Sequence, residues 1–593
     1  MHKRNKIIYP ILCVIMAFSA ISFVACSSSG EKVNVVYHLN YEGAENRTVQ
    51  VYTGTSAIDW KAPRDGFKLA GWYSDADCKN IYDFSQPIKK DTDLYAAWKV
   101  YGGRVIVTFD YNYPGCRLGV TASVEGDETI GEKYVPADAS RKGMKQTGWY
   151  KDAAATQKWD FAVDKPNGNI TLYAGWEHSD TIRRDASGNV IYENVQVNVW
   201  LSGNGQDTEI YQKIAEQFNK EYEGKIRVNA TEALSDQGTF SLRSQNTPEK
   251  SVNEGTYYSV NDIYAMAGIE LDYGDWYEGA LKDSIYNGAM TSVPMFANVP
   301  YLVYNKALLQ KYNDGVLPTN YTQLSALLKK AYEGENSTDF ISMYTNVDWS
   351  FKEGPAHTAF LQNGAEYYSY SNGFYSNNWS NNRENALAAL KNSYNLFSSN
   401  SALHCGNNGS SDFRPTEPIN RVIAGTSLFG MATWNKDLDG PIKLAISNSS
   451  AVGVVPLSGL FTDADTPEAA RIPVNSFGLA FYKAQNCTDT QLAAAAVFAD
   501  YCSKHSYEFT RKGWAPVRKS AYDADKMYSE YKDFIISMGK PENFYTYDGY
   551  KSGKQIYNSI ASDLYLLPMF EEKDPDFDRI LTDFTAAVCA ELQ

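Results

Sequence analysis

Two prolines six residues apart, Pro294 and Pro300, constrain this chain more than any other local feature. They interrupt a strand-like run from Val293 to Leu309, VPMFANVPYLVYNKALL. Proline has no backbone N–H to give to a ladder, so it sits at strand starts and edges and not inside a central strand. After Pro300 the run alternates as Tyr301-Leu302-Val303-Tyr304, breaks at Asn305-Lys306 and turns helical at Ala307-Leu308-Leu309. The pattern predicts a strand that leaves one sheet and enters another, the connection a two-lobed α/β body needs.

The chain has 593 residues, more than one hydrophobic core can serve, so several domains are expected. Its 55 basic and 70 acidic residues give a net charge of −15, and losing Lys3, Arg4 and Lys6 with an N-terminal signal leaves it more acidic still. Such a surface repels phosphate backbones and anionic membranes, so no nucleic acid is expected as a partner. Aromatic residues reach 14%, with 44 Tyr, which suits both β-rich packing and stacking on sugar rings.

Residues 1–25 read as an export signal, with a basic start, His2 to Lys6, and an apolar run, Ile7 to Val24. A retained membrane helix is the competing reading. Phe23-Val24-Ala25-Cys26 resembles a bacterial lipobox, and Ser27-Ser28-Ser29-Gly30 supplies a polar spacer. The resemblance implies lipid attachment at Cys26, a lipid-anchored tether over 26–32, and a place on the extracellular face of the cell membrane. The six cysteines outside the signal are scattered without a CxxC pair, and are expected to be mostly small buried apolar residues. The six histidines include no pair at ligand spacing, so neither a metal nor a cofactor is expected.

The next stretch duplicates itself. Gly71-Trp72-Tyr73 returns as Gly148-Trp149-Tyr150, Tyr82-Asp83-Phe84 as Trp159-Asp160-Phe161, and Leu94-Tyr95-Ala96-Ala97-Trp98 as Leu172-Tyr173-Ala174-Gly175-Trp176. Each unit opens on an alternating strand, Val33 to Leu39 and Arg104 to Tyr111. This predicts two small β-rich modules, 33–101 and 102–178, whose rings fill their cores. The pattern resembles the Listeria–Bacteroides repeat of bacterial surface proteins, which implies spacers or adhesive modules. The polar segment 179–193 reads as a linker.

From residue 194 the composition changes. Val195 to Leu201 reads as a strand, Ser202 to Asp207 as a polar loop, and Thr208 onward as a helix that buries Ile210, Ile214, Phe218 and Tyr222. The loop lacks both GxGxxG and a phosphate-binding Lys, which argues against a nucleotide. Further segments follow in order: Tyr257 to Asp262, the Pro294–Pro300 crossing, Tyr344 to Trp349, Gly425 to Trp434, Asn475 to Phe481, and Arg511 to Ser520. This order resembles the extracellular solute-binding proteins of the maltose-binding (family 1) type that serve ABC importers. The resemblance covers 194–593. It implies an α/β, two-lobed periplasmic-binding-protein-like (type II) domain, preceded here by the two β-rich repeat modules.

Carried over position by position, the resemblance places Asn204, Gln206, Asp207, Asn261, Asp262, Asn298, Asp348, Trp349, Trp434, Phe477 and Trp514 at a substrate site. Asn298 stands where the family carries an acid, and an amide keeps the hydrogen bonds without the charge. The implied function is capture of a carbohydrate, an oligosaccharide, by a monomer that hands it to the membrane permease subunits of an ABC importer, with no catalysis. Two other classes compete. One is a glycan-binding surface adhesin built on the repeats. The other is a glycoside hydrolase using Asp272, Asp275 and Glu278 beside Trp276.

Overall fold

The computed structural model describes residues 31–592 apart from 101–103, 202–207, 233–241, 246–256, 346–354, 378–381, 406–415, 433–438, 484–486, 547–564 and positions 115, 117, 118, 127, 287, 367, 372, 373, 399, 404, 524 and 566. The signal and Cys26 therefore lie outside the described residues.

Both duplicated units fold alike. Strands β1 (Lys32–His38), β2 (Arg47–Tyr52), β3 (Phe67–Tyr73) and β4 (Thr92–Val100) form a sheet in the order β2-β1-β4-β3. Strands β5 (Arg104–Asp110), β6 (Val120–Glu125), β7 (Met144–Tyr150) and β8 (Ile170–His178) repeat it as β6-β5-β8-β7. The opening strands alternate as expected, burying Val33, Val35 and Tyr37 in one and Val105, Val107 and Phe109 in the other. The third strand of each unit slips register at a glycine of positive φ, Gly71 and Gly148, and the tryptophan after it, Trp72 or Trp149, is buried. The closing tryptophans are tied inward: the Trp98 indole donates to the Leu39 carbonyl at 2.6 Å and that of Trp176 to the Tyr111 carbonyl at 2.9 Å. Trp72 and Trp149 are core, and Trp98 and Trp176 pack against it partly buried.

The rest of the chain has two lobes. The first lobe holds β9 (Val195–Trp200), β10 (Ile226–Thr231), β11 (Leu242–Gln245) and β12 (Tyr257–Tyr258). After two short paired strands, β13 (Ile285–Tyr286) and β14 (Ala289–Met290), comes β15 (Val293–Asn298), and then β16 (Tyr301–Asn305) in the second lobe. Strands β17 (Met343–Tyr344), β20 (Phe429–Ala432) and β21 (Val452–Val455) complete the second-lobe sheet, β17-β20-β16-β21, with the hairpin β18 (Tyr368–Ser371) and β19 (Phe374–Asn377) apart from it. The chain returns through β22 (Ile472–Pro473), which pairs with β25 (Phe544–Tyr545), into β23 (Asn475–Tyr482); β24 (Ala515–Pro516) closes the first-lobe sheet. That sheet runs β10-β9-β11-β23-β15-β24, with β12 beside β23.

The proline-flanked stretch therefore does what its sequence requires. β15 pairs with β23 and β24 in one sheet, Val299 and Pro300 break the ladder, and β16 pairs with β20 and β21 in the other. Helix Thr208–Glu221 buries Ile210, Ile214 and Phe218 on the first-lobe sheet, and Tyr222 stacks on Phe218 at 4.2 Å. Helix Asp489–Lys504, started by a capping box of Thr488 and Gln491, packs on the same sheet, and its run Ala493 to Ala496 is buried all round.

Three expectations are corrected. Asn261 and Asp262 are not on a loop after a strand; they lie in the first turn of helix Val260–Ala267, whose cap Ser259 accepts from the Asp262 N–H at 3.1 Å. Segment 179–193 is not a free linker, because its few apolar residues bury: Ile182 enters the first-lobe core, and Val190 and Tyr192 pack against it. Among the six cysteines described, only Cys405 and Cys502 are buried, while Cys78, Cys116, Cys487 and Cys589 are partly exposed.

Candidate functional site

The crossing places polar groups where the two sheets meet. Asn298 ends β15 and Asn475 begins β23, and antiparallel pairing makes them register partners. Alternation puts Phe296, two residues before Asn298, and Phe477, two residues after Asn475, on that same face. On the other side of β15, the register pairs Ala297 with Ala515, so one step further sets Trp514 opposite Asn298.

The rings form a continuous stack across three strands. Phe296 lies between its neighbours, 4.5 Å and 11° from Trp514 and 5.3 Å and 16° from Phe477. Asn298 is 5% exposed, Asn475 6% and Trp514 6%. Each nevertheless carries a buried polar atom with no hydrogen-bond partner: Asn298 Nδ2, Asn475 Oδ1 and Trp514 Nε1. The Tyr301 hydroxyl, just past the crossing, is another such atom. Leaving such an atom unmet costs about 1–3 kcal/mol, so a cluster of them marks a surface built to meet something else. Two are donors and one an acceptor on a floor of amides and rings without charge.

The opposite face of β23 is occupied by protein. Ser476 donates its hydroxyl to the buried carboxylate of Asp283 at 2.9 Å, and the Asp283 N–H reaches Thr546 Oγ1 at 3.1 Å. The strand is thereby held from behind, which keeps Asn475 and Phe477 turned to the crossing.

Of the residues expected at the site, the structure brings together Asn298, Phe477 and Trp514 and adds Asn475, which sequence reading missed. It does not bring in Asn261 or Asp262. The Asn261 amide holds the Met290 N–H at 2.8 Å and the Tyr273 hydroxyl at 2.9 Å, both internal bonds. Asp262 pairs with Arg141 of the second repeat at 2.7 Å, and burial pushes its carboxyl above the usual range although Arg141 pulls the other way. Asn204, Gln206, Asp207, Asp348, Trp349 and Trp434 lie outside the described residues. The helices that follow two of those loops, Thr208–Glu221 and Asp439–Ser447, do face one another: Glu209, Lys213 and Lys443 line a cleft of 430 Å³ with Arg511, Tyr528 and Tyr531.

Two of the three acids weighed for hydrolysis, Asp272 and Asp275, have structural partners. Asp275 receives the Arg518 guanidinium at 2.5 Å and the Ser520 hydroxyl at 2.7 Å, and Asp272 caps a turn at the Gly274 N–H. Arg518 also holds Asp500 at 2.8 Å and lies over the Trp276 ring at 4.5 Å. Among the described residues no cluster of His, Cys, Asp and Glu has the makings of a metal site, and no helix is long and apolar enough to cross a membrane.

Residues 202–471 match the family of bacterial extracellular solute-binding proteins. That match takes in a little under half of the chain and lies within the C-terminal body. Residues 34–97 and 106–175 each match the Listeria-Bacteroides repeat domain. The fold of the C-terminal body is that of MalE from Xanthomonas citri, 13% identical with a TM-score of 0.52, over 67% of this chain and 97% of that one. It is also that of the cyclic alpha-maltosyl-1,6-maltose binding protein from Arthrobacter globiformis, 14% identical with a TM-score of 0.51, over 67% of this chain and 99% of that one. Two curated relatives come from Evansella cellulosilytica: a putative membrane protein, 27% identical over 267 residues, and a putative Gly-rich membrane protein, 30% identical over 147. The matches take in 44% and 24% of this chain, and the chain spans only 36% and 16% of those relatives' length. Asn298 and Asn475 stand where the chain passes between the two sheets.

Proposed function

We propose that this protein captures a neutral carbohydrate between its lobes and passes it, unchanged, to the membrane subunits of an ABC importer. The observation that carries this reading is the uncharged floor of Asn298, Asn475 and Trp514, with unmet donors and an unmet acceptor beside stacked rings. Sugar hydroxyls both donate and accept, and sugar C–H faces suit aromatic neighbours, so a carbohydrate meets both features at once. Among the described residues, a carboxylate or phosphate ligand would meet no positive group on this floor. The two proteins of like fold are named for sugars, MalE as a sugar-binding protein and the other for a cyclic maltosyl-maltose.

Binding favours the closed arrangement because the closed lobes make contacts the open ones cannot. Lipid attachment at Cys26 would hold the protein at the outer face of the membrane, with the repeats between anchor and receptor. Calorimetric titration of the full chain with maltotriose tests the reading. Saturable binding that falls when Asn475 is replaced supports it, and binding untouched by that change counts against the floor.

A further inference from the structure

The duplication extends to how each repeat meets its successor. Both repeats carry an Arg-X-Gly turn just before the third strand, Arg64-Asp65-Gly66 and Arg141-Lys142-Gly143. The turns are built alike. In each the arginine carbonyl accepts at 3.1 Å, from Phe67 and from Met144, and the glycine has positive φ, 75° and 69°. The guanidinium lies over the same pair of rings, Tyr41 and Trp98 for Arg64, Tyr113 and Trp176 for Arg141.

Each turn touches the next module along. In the first repeat, the Arg64 and Phe67 carbonyls accept from Asn169 Nδ2 of the second repeat at 2.9 and 3.2 Å. Asn169 Oδ1 meanwhile accepts the Ile106 N–H inside its own repeat. Asp91 does only that inner task in the first repeat, accepting from the Asn34 N–H at 2.7 Å. In the second repeat the turn meets the first lobe. Arg141 pairs with Asp262 at 2.7 Å, both side chains largely buried, and Lys142 pairs with Asp489 at 2.5 Å. Gly143 lies so close to Met266 that an added Cβ would fall 2.2 Å from its side chain. The connector seals the joint: Thr181 donates to Asp489, and Arg184 to the Met266 carbonyl, both at 2.5 Å.

We propose that the Arg-X-Gly turn is a docking element, and that it welds the two repeats and the first lobe into one rigid rod that fixes how the ligand cleft is presented. The repeats are then not a slack tether. A partly buried ion pair at a joint holds geometry, because breaking it strands a charge away from water. Each turn meets a polar side chain beside a small or apolar ledge: Asn169, which donates to the turn, with Gly168 in one case, and Asp262, which accepts from it, with Met266 in the other.

The connector supplies the test, since Arg184, whose guanidinium donates to the Met266 carbonyl, is a trypsin site masked while the joint holds, and cleavage there tracks opening. Full-length protein is treated with trypsin and cleavage after Arg184 is followed by mass. One pair of changes is on the lobe side, Asp262→Ala with Asp489→Ala. The other is on the repeat side, Arg141→Ala with Lys142→Ala, which leaves the lobe intact. Both pairs should speed that cleavage at least about tenfold, since losing a buried partner is worth more than the corresponding factor, while maltotriose affinity stays as in the parent. An unchanged cleavage rate in either pair overturns the rod, whatever the ligand turns out to be.

Discussion

Asn298 and Asn475 face each other as register partners on adjacent antiparallel strands, and each keeps one buried polar atom unpaired, Nδ2 on the first and Oδ1 on the second. A fold selected only for stability would have filled both positions with apolar residues. Asn475→Leu, close in size, is therefore expected to leave the ligand-free protein as stable or to raise its stability by about 1–3 kcal/mol. The same change should weaken maltotriose binding at least about tenfold, the cost of one lost ligand bond. Denaturant melts with and without sugar check both halves.

Trp514 separates packing from recognition. Its ring stacks on Phe296 at 4.5 Å while its N–H goes unmet. Trp514→Phe keeps a ring and removes the N–H, so the melt should stay within about 1.5 kcal/mol of the parent while sugar affinity drops. Trp514→Ala should cost about 3–5 kcal/mol in stability as well.

How much of this was legible follows from the range over which each signal acts. The crossing was readable because Pro294 and Pro300 act on their own backbone. The repeats were readable because duplication needs no structure to see. Asn475 was not, since its pairing with Asn298 spans more than a hundred residues of chain, and nothing local announces the register. Asp262 was misplaced for a nearer reason: Ser259, three residues upstream, caps a helix whose first turn contains it, and the likeness to a contact loop outweighed that signal. Ile182, Val190 and Tyr192 were lost among polar neighbours in a segment that reads as linker but folds onto the lobe.

The repeats make a separate prediction. Trp72 and Trp149 are 1% and 3% exposed, so they hold cores rather than offer surfaces to a glycan. Trp72→Ala should destabilise its own repeat by about 3–5 kcal/mol, seen as an early transition in a calorimetric melt, and leave maltotriose affinity unchanged.

Acid sensitivity follows from the first lobe. Burial would raise the Asp275 carboxyl, but the bonds from Arg518 and Ser520 outweigh it and hold it below the usual range. Glu508, bonded by Lys213 and Arg511 against the same burial, is likewise held low. The unfolded chain then binds protons first as pH falls, so the stability these groups give is present above about pH 4 and lost below it. Asp275→Asn should melt lower than the parent at pH 7 and show a shallower fall in melting temperature between pH 6 and pH 3.

The central claim is a cleft whose floor is the crossing between the lobes, tuned to a neutral hydroxylated solute. Calorimetric titration of maltotriose into the full-length protein and into Asn298→Leu with Asn475→Leu tests it most directly. The account expects saturable one-to-one binding in the first and, in a variant that melts no lower, loss of at least about two orders of magnitude. Equal affinity in both proteins would contradict it.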